Sequence, residues 1–263
     1  MSRLSRTQRV IFAIVALAVL AVAVFGGTWV FRRKLRMAYN IGRAILAGQE
    51  AGAHGDYRNV LFVHHSTGHY LIEQGNVREL FAQAGYEFWD HDYNYLGLTR
   101  PDGTSAGYSY NIPDDNTDPD GYAQIFAQPV RAWPVNAFSA IMQHEVIVFK
   151  SCFPTSDLKS QEQLDEYKHY YLSIREAIAR HPDHLFIVLT PPPLVPESTT
   201  PENAVRARVW ADWLASEAFT AGYPNLYVLD FFDLLAEGDP ARPDHNMLRA
   251  EYRSGLEGDS HPN

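Results

Sequence analysis

Short, continuously apolar runs recur along residues 57–263, separated by stretches in which apolar residues have helical spacing. A run of this kind predicts a strand that is buried on both faces of a sheet. We predict strands at residues 59–63, 86–89, 146–149, 185–189 and 226–230, although Glu87 interrupts the second segment and Asn59 and Asp230 are polar ends of the first and the last. Because they alternate with helices, we expect right-handed crossovers and a mostly parallel, five-stranded sheet in one α/β domain, with helices covering both faces.

Three helix starts are marked by residues that can cap backbone amides. Ser160 and Gln163 form a capping box, Asn76 is a candidate N-cap, and Thr200-Pro201 opens a further helix. The helix after Ser160 has an apolar face, which we expect to pack against the sheet. That face consists of Leu164, Tyr167, Tyr171, Ile174 and Ile178. The helix after Thr200 is expected to run through Val205, Val209 and Trp213.

Residues 90–135 break this alternation and are rich in Asp, Asn, Gly, Pro and Tyr. Connections of such length are usually functional or mobile. The aromatic side chains in and beside this segment can either stack on sugar rings or pack the segment onto the domain, and we favour packing for most of them. They are Trp89, Tyr93, Tyr95, Tyr108, Tyr110, Tyr122 and Trp133.

Residues 10–31 form an uncharged run of 22 residues with arginines on both sides. A helix of that length crosses a hydrocarbon core of about 30 Å. The run is too long for a signal peptide core, and Ala21-Val22-Ala23 is a poor cleavage site, so we predict a retained transmembrane anchor over 1–36. Residues 37–56 are expected to be a juxtamembrane linker. Basic residues flank both ends of the run, so charge alone does not decide the orientation.

The charge distribution excludes one class of partner. The chain carries a net charge of -9, but residues 1–36 hold seven Arg or Lys and no acid, which leaves -16 on the remainder. A body this acidic repels phosphate backbones, so we expect no nucleic-acid binding. The single cysteine, Cys152, excludes a disulfide framework within the chain.

Polar residues follow the predicted strands, where ligands bind in open parallel sheets. Ser66 comes after the first strand, and His261 stands near the end of the sequence with Asp259 two residues before it. A serine becomes a nucleophile when a base takes its proton, and a carboxylate can orient that base. The alternative is that Ser66 caps a helix and that His261 is an ordinary loop histidine.

The order of these elements resembles the SGNH/GDSL hydrolases, in a divergent bacterial branch, over residues 57–263. The most specific matches are the strand followed by His64-His65-Ser66-Thr67-Gly68 and the terminal His261-Pro262-Asn263. The resemblance implies a three-layer α/β/α sandwich of flavodoxin-like type that hydrolyses acyl or acetyl esters, or transfers acyl groups, without a metal or other cofactor. A helix normally follows His-Pro-Asn in that family, so we expect the sequence to be truncated at its C-terminus.

The same resemblance implies roles for individual residues. Ser66 would be the nucleophile, His261 the base, and Gly97 an oxyanion donor through its backbone N–H. This sequence departs from the family's motifs at three places, and each departure changes the role expected of a residue. His64-His65 replaces the family's Gly-Asp before the serine. Gly258 stands where the family has its acid, which leaves Asp259 for that role. The family's oxyanion Asn is absent, so Ser151 or Ser156 would have to substitute for it.

Two further residues are candidates for substrate contact. His65 lies beside the nucleophile. Lys150, at the end of the third strand, could lower a neighbouring pKa or bind an anionic substrate, although a solvated lysine is the favoured interpretation. Cys152 is an alternative nucleophile, but free cysteines are more often buried and inert.

Other classes of protein remain open. A metal-dependent hydrolase could use the histidines and carboxylates at the strand ends, but the adjacent His64 and His65 point to opposite faces of an extended chain. That candidate ligand set comprises His64, His65, Asp90, His91, Asp92, Asp259 and His261. Residues 116–121 match half of an EF-hand loop, but Ala127 replaces the required Glu, so a turn is favoured over a calcium site. A non-catalytic glycan-binding module is the third class.

The sequence therefore predicts a membrane-anchored serine ester hydrolase with an acyl-Ser66 intermediate. Its expected substrate is a small-molecule, glycan or lipid ester, with an acetyl ester on carbohydrate preferred from the aromatic segment and the resemblance. Transfer of the acyl group instead of hydrolysis stays an alternative. By analogy with anchored relatives, we expect the catalytic domain on the extracytoplasmic side.

Overall fold

The computed structural model describes residues 27–43, 45, 51–52, 54–113 and 118–262. Most of the predicted membrane segment, residues 10–26, lies outside these ranges. Within them, no helix is long and apolar enough to cross a membrane. The predicted boundaries of the anchor, the linker and the hydrolase domain stay predictions.

A mostly parallel sheet of six strands forms the centre of the domain. Its strands are β1 (Asn59–Val63), β2 (Glu87–His91), β3 (Leu98–Thr99), β4 (Val146–Lys150), β5 (Leu185–Leu189) and β6 (Leu226–Leu229). They lie in the order β3-β2-β1-β4-β5-β6, and only β3 is antiparallel to its neighbour. The five predicted strands are all present. The expectation of a five-stranded sheet was wrong by one edge strand, because β3 has two residues and leaves no periodic signal.

Nine α-helices connect and flank the strands in the described part of the chain. They are α1 (residues 27–43), α2 (Ser66–Gln74), α3 (Val77–Gln83), α4 (Pro119–Phe126), α5 (Ala137–Ile141), α6 (Gln161–Ile178), α7 (Pro201–Ala215), α8 (Glu217–Thr220) and α9 (Phe231–Leu235). Short 3-10 turns lie at Phe153–Ser156, Pro196–Ser198 and Ala250–Tyr252.

Alternate residues of β1 face two separate hydrophobic cores. Leu61 and Val63 belong to one core, which includes residues of α4, α5, α6 and α7. Val60 and Phe62 belong to the other, which includes residues of α2 and α9. Because successive side chains of a strand point to opposite faces, helices cover both faces of the sheet.

Two of the three predicted helix caps are present. The side chains of Ser160 and Thr200 accept hydrogen bonds from the backbone N–H three residues later. The third prediction was wrong: Asn76 precedes α3 in the left-handed conformation, at φ 51°, and its side chain makes no cap. The predicted face of α6 is buried except for Tyr167, which is half-buried. In α7 the buried residues are Ala204, Ala207, Trp210, Ala211 and Leu214, whereas Val205 and Val209 are exposed.

Segment 90–135 is largely built into the domain, since it contains β3 and α4. Tyr108, Tyr110 and Tyr122 are buried there, which agrees with the packing interpretation of most of its aromatic residues. Tyr95 and Trp133 are the exceptions, with 73% and 60% of their surface exposed.

Three histidines are buried in the domain, and burial is the main cause that lowers their pKa. The pKa falls from 6.5 to about 4 at His64, and to about 3 at His91 and His144. Their neutral rings are therefore part of the folded state. The unfolded chain binds protons at these sites below pH 6.5, whereas the folded chain does not until pH approaches 4.

We expect the free energy of unfolding to fall as the pH is lowered from 7 to 5, by about 2 kcal/mol for each of these histidines. Urea denaturation at the two pH values measures this difference. His144→Gln should make the change in unfolding free energy between pH 7 and pH 5 smaller by about the contribution of one histidine. This holds even if the substitution also alters stability at pH 7. The exposed His169 gives the control, since His169→Gln should leave the difference unchanged. Equal pH dependence in the two variants would contradict the prediction.

Candidate active site

The carboxyl ends of three central strands meet at one edge of the sheet. Val63, the last residue of β1, pairs with His91 of β2 and with Phe149 of β4. The polar segments that follow these strands are therefore neighbours, as parallel topology requires.

Ser66 is the first residue of α2 and follows β1 after only two residues. His65 has extended backbone angles and contributes no side-chain cap to this helix. The backbone N–H groups of Ser66, Thr67 and Gly68 have no hydrogen-bond acceptor among the described residues. Amides at a helix N-terminus carry partial positive charge, so this turn can stabilise a developing negative charge near Ser66.

The sharp turn into α2 depends on a glycine. A Cβ on Gly68 would lie 2.3 Å from the Cβ of His64 and 2.4 Å from its ring. His64 cannot move aside easily, because its buried ring lies with Nε2 3.1 Å from Oδ2 of Asp90, and Asp90 is also paired with Arg78. The close contact of Gly68 with His64 thus fixes where the first turn of α2, and Ser66 with it, sits above β1.

His261 forms a close pair with Asp259. Its Nδ1 lies 2.5 Å from Oδ1 of Asp259, and its backbone N–H donates to the same oxygen at 3.1 Å. Burial alone would raise the pKa of the Asp259 carboxyl, but hydrogen bonds from His261 and Ser254 lower it below its usual value. The carboxylate accepts the proton of Nδ1, so the neutral ring has its lone pair on Nε2. This Nε2 is buried and has no hydrogen-bond partner within the described residues.

Aromatic contacts hold the His261 ring beside α2. The ring packs edge-on against Tyr70, with centroids 5.1 Å apart, and against Phe153, with centroids 4.8 Å apart. Tyr70 lies four residues after Ser66 in α2, which is about one helical turn. Phe153 lines the same cavity as Ser66. The predicted base therefore lies near the turn of α2 that begins with the predicted nucleophile, through Tyr70 and Phe153. His261 is not itself among the described residues that line the cavity, and no hydrogen bond joins it to Ser66 in the described part of the chain.

The cavity that contains Ser66 has a volume of about 1090 Å³. It is lined on the domain side by residues from the ends of β1, β2 and β4, and the ring of His65 stacks on that of Tyr93 at 3.9 Å. A volume of this size fits a ligand larger than a simple acetyl ester.

The three predicted oxyanion donors, Gly97, Ser151 and Ser156, are engaged in other hydrogen bonds. The N–H of Gly97 donates to the carbonyl of Tyr93 at 2.8 Å, so it serves the turn and not an oxyanion. At this position, with φ +77°, a Cβ would lie 2.4 Å from the carbonyl oxygen of Tyr108, which accounts for the glycine. Ser151 and Ser156 are also committed: the first is hydrogen-bonded to the Tyr171 hydroxyl at 2.8 Å, and the second donates to the Pro192 carbonyl at 2.7 Å. Both serines are buried.

Lys150 is not solvated, and the expectation that it would be was wrong. Its side chain is fully buried, and its Nζ has no hydrogen-bond partner in the described ranges. Burial is the main cause that lowers the pKa of Lys150, against the opposing influence of Cys152 and Asp92. Lys150 is not among the residues that line the Ser66 cavity.

The structure also shows the positions of the alternative nucleophile and of the candidate metal ligands. Cys152 is buried, with Sγ 3.9 Å from the hydroxyl of Thr67, and it lines the cavity. No group of three or more His, Cys, Asp or Glu side chains among the described residues could hold a metal ion. His64 and His65 have different surroundings, since the first is buried against Asp90 and the second stacks on Tyr93. Two residues of the half EF-hand, 116 and 117, lie outside the described ranges.

Sequence reasoning missed several residues of the cavity. Asn94 lines it, and its Nδ2 donates to the carbonyl of Ile112 at 2.5 Å, which leaves a second N–H. The order of residues after β2 could have suggested Asn94, because it follows that strand by three positions. Arg33 and Arg36 of α1 also line the cavity. No local signal in the sequence connects α1 with the strand ends.

No protein-family model matches the chain, and no curated protein matches it. A solved structure from Streptococcus pneumonia, provisionally described as a platelet activating factor, is 14% identical, with 93% of this chain and 92% of that chain covered and a TM-score of 0.48. At that identity and TM-score the similarity carries no argument about activity. The functional conclusion rests on the residues of the site.

Proposed function

We propose that the protein is a serine ester hydrolase that acts through an acyl-Ser66 intermediate. One observation carries the proposal: His261, paired with Asp259 at 2.5 Å, has an unpartnered Nε2 among the described residues and packs beside the α2 turn that begins with Ser66. A nucleophile, a base and a carboxylate that orients the base are the parts that this chemistry needs.

In the proposed reaction, Oγ of Ser66 attacks the ester carbonyl while Nε2 of His261 takes the serine proton. The tetrahedral intermediate collapses, the C–O bond to the alcohol breaks, and His261 returns the proton to the leaving alcohol. Water then attacks the acyl-serine with His261 again as base, which releases the carboxylic acid and restores Ser66. Asp259 accepts the Nδ1 hydrogen bond throughout and stabilises the imidazolium.

The oxyanion needs donors other than those that the sequence predicted. The backbone amides at the start of α2, which have no acceptor in the described part of the chain, are the first candidates, since they lie at the nucleophile itself. The second N–H of Asn94, which lines the same cavity, is a further candidate. These donors replace Gly97, Ser151 and Ser156 in the proposed mechanism, because the polar groups of those residues are engaged elsewhere.

A fluorophosphonate probe tests the proposal, because it modifies serines that have been activated as nucleophiles. We expect the full chain to be labelled on the peptide that contains Ser66, with EDTA present or absent. Cys152→Ala should be labelled to the same extent, and Ser66→Ala should not be labelled. Labelling that EDTA abolishes would favour a metal-dependent hydrolase. No labelling of the folded full chain would contradict the serine mechanism.

A further inference from the structure

Two hydrogen bonds near the C-terminal end of α1 join this helix to the domain. Asn40 is buried, and its Nδ2 donates to Oδ1 of Asn111 at 2.7 Å. Arg43 donates to the carbonyl of Ala106 at 3.2 Å. Residues 27–39 are all exposed. These two hydrogen bonds hold α1 against the segment that forms one side of the Ser66 cavity.

One face of α1 forms a wall of that cavity. Arg33, Arg36, Met37 and Asn40 line it, and their spacing of three, one and three residues places them on a single stripe of the helix. The same cavity is lined by Ser66. Helix α1, whose described part begins inside the predicted membrane segment and extends beyond it, therefore takes part in forming the candidate active site.

The two arginines bring positive charge to a domain that is otherwise strongly acidic. Neither guanidinium forms a salt bridge or a hydrogen bond with any described residue, and the guanidinium of Arg33 lies 5.7 Å from the ring centre of Trp29 on the same helix. Residues 37–263 carry a net charge of -16. Among the described residues that line the cavity, Asp118 is the one acid, so Arg33 and Arg36 give the lining a net positive charge. Guanidinium groups match the geometry of phosphate oxygens and can bind them in a bidentate manner.

We propose that Arg33 and Arg36 bind an anionic phosphate group on the substrate, so that the cavity selects phosphate-bearing esters. This inference rests on the proposed ester hydrolysis, because it concerns the part of the substrate that does not react. Hydrogen-bonding groups of Asn94, Asn111 and Tyr95 line the same space and suit the hydroxyl groups of such a molecule. The phosphate can belong to a lipid headgroup or to a soluble phosphate ester.

The test compares two esters that differ only in the phosphate: acetylglycerol and acetylglycerol 3-phosphate. With the full chain in phosphatidylcholine vesicles, we expect kcat/KM to be at least about 10-fold higher for the phosphate ester. In Arg33→Gln/Arg36→Gln this ratio should fall towards one. The matched control is Arg32→Gln/Lys34→Gln, which removes two charges from the same helix at positions that do not line the cavity. The control should keep the ratio.

Each outcome separates the two proposals. A ratio near one in the unaltered protein, or a ratio that survives in Arg33→Gln/Arg36→Gln, overturns the phosphate inference while hydrolysis itself stands. An equal fall in the control variant also overturns it, since general attraction by a basic helix would then account for the preference. No turnover of either ester, with no fluorophosphonate labelling, overturns the hydrolase and the inference with it. A long-chain acylglycerol phosphate in the vesicles, compared with the soluble acetyl ester, identifies the source of the phosphate by the higher kcat/KM.

Discussion

Ser66→Ala is expected to lower kcat for p-nitrophenyl acetate by about 10⁴-fold or more. The alanine has no oxygen to form the acyl-enzyme, so only residual stabilisation by the site remains. The backbone amides of the α2 turn do not depend on the side chain, and Ser66 is half-buried, so the fold should tolerate the change. Steady-state kinetics, together with thermal unfolding to verify the fold, measure the effect.

A neighbouring nucleophile supplies the control for this experiment. Cys152 lies 3.9 Å from Thr67, the residue after Ser66, and lines the same cavity. If Cys152 performed the attack, Cys152→Ala would be inactive and Ser66→Ala would keep most of its activity. We expect the reverse. Retention of more than about a tenth of kcat in folded Ser66→Ala would rule out the acyl-serine route.

The central strands were predictable because their signal is local. A short apolar run such as residues 60–63, which contains Val and Phe, favours a strand covered on both faces over a helix because of its length and its β-branched and aromatic residues. The edge strand β3 was not predictable, since two residues are too few to show a periodic spacing of apolar side chains. Helix α2 was missed for a different reason: only Thr67, Gly68 and Ile72 are buried in it, so no apolar stripe marks it. Its place is fixed by the contact of Gly68 with His64, which is a tertiary effect.

The candidate site was predictable in its positions but not in its hydrogen bonds. The order of elements along the chain indicated that Ser66 and the terminal Asp259-His261 pair belong at the same edge of a sheet. Whether the N–H of Gly97 is free to bind an oxyanion depends on the hydrogen bond that closes its turn, and this bond could not be predicted from the sequence. The burial of Lys150 likewise depends on neighbours that come from distant parts of the chain.

The contribution of α1 to the cavity was the feature furthest from prediction. The sequence separated residues 1–36 as an anchor from the domain that follows, because charge and hydropathy change there. In the structure, Arg33 and Arg36 face the cavity, since the hydrogen bonds of Asn40 and Arg43 hold the helix against the domain. The hydrogen bond between the side-chain amides of Asn40 and Asn111 could not be predicted, because neither local sequence contains a motif that indicates it.

Asp259→Asn is expected to lower kcat by about 10² to 10⁴-fold with little change in KM. The carboxylate accepts the hydrogen of Nδ1 and so leaves Nε2 of His261 free to act as a base. An asparagine can present its NH₂ group to Nδ1 instead, which favours the wrong tautomer, and it brings no charge to stabilise the imidazolium. Asp259 does not line the cavity in which the substrate binds, so the substitution should lower kcat and leave KM nearly unchanged.

The position of the carboxylate relative to His261 allows a second test of the role of Asp259. Glu257 is an exposed acid two residues before Asp259, so Glu257→Gln removes a nearby charge without touching His261 and should keep full activity. Gly258→Asp combined with Asp259→Asn moves the carboxylate to the position that the SGNH resemblance implies. Gly258 has φ +73°, and the atom nearest to an added Cβ is Oγ of Ser198 at 3.8 Å, so that carboxylate would start beside Ser198 and not beside His261. We therefore expect no recovery of kcat in the double variant. Full recovery, or an Asp259→Asn enzyme within twofold of the unaltered kcat, would remove Asp259 from the mechanism.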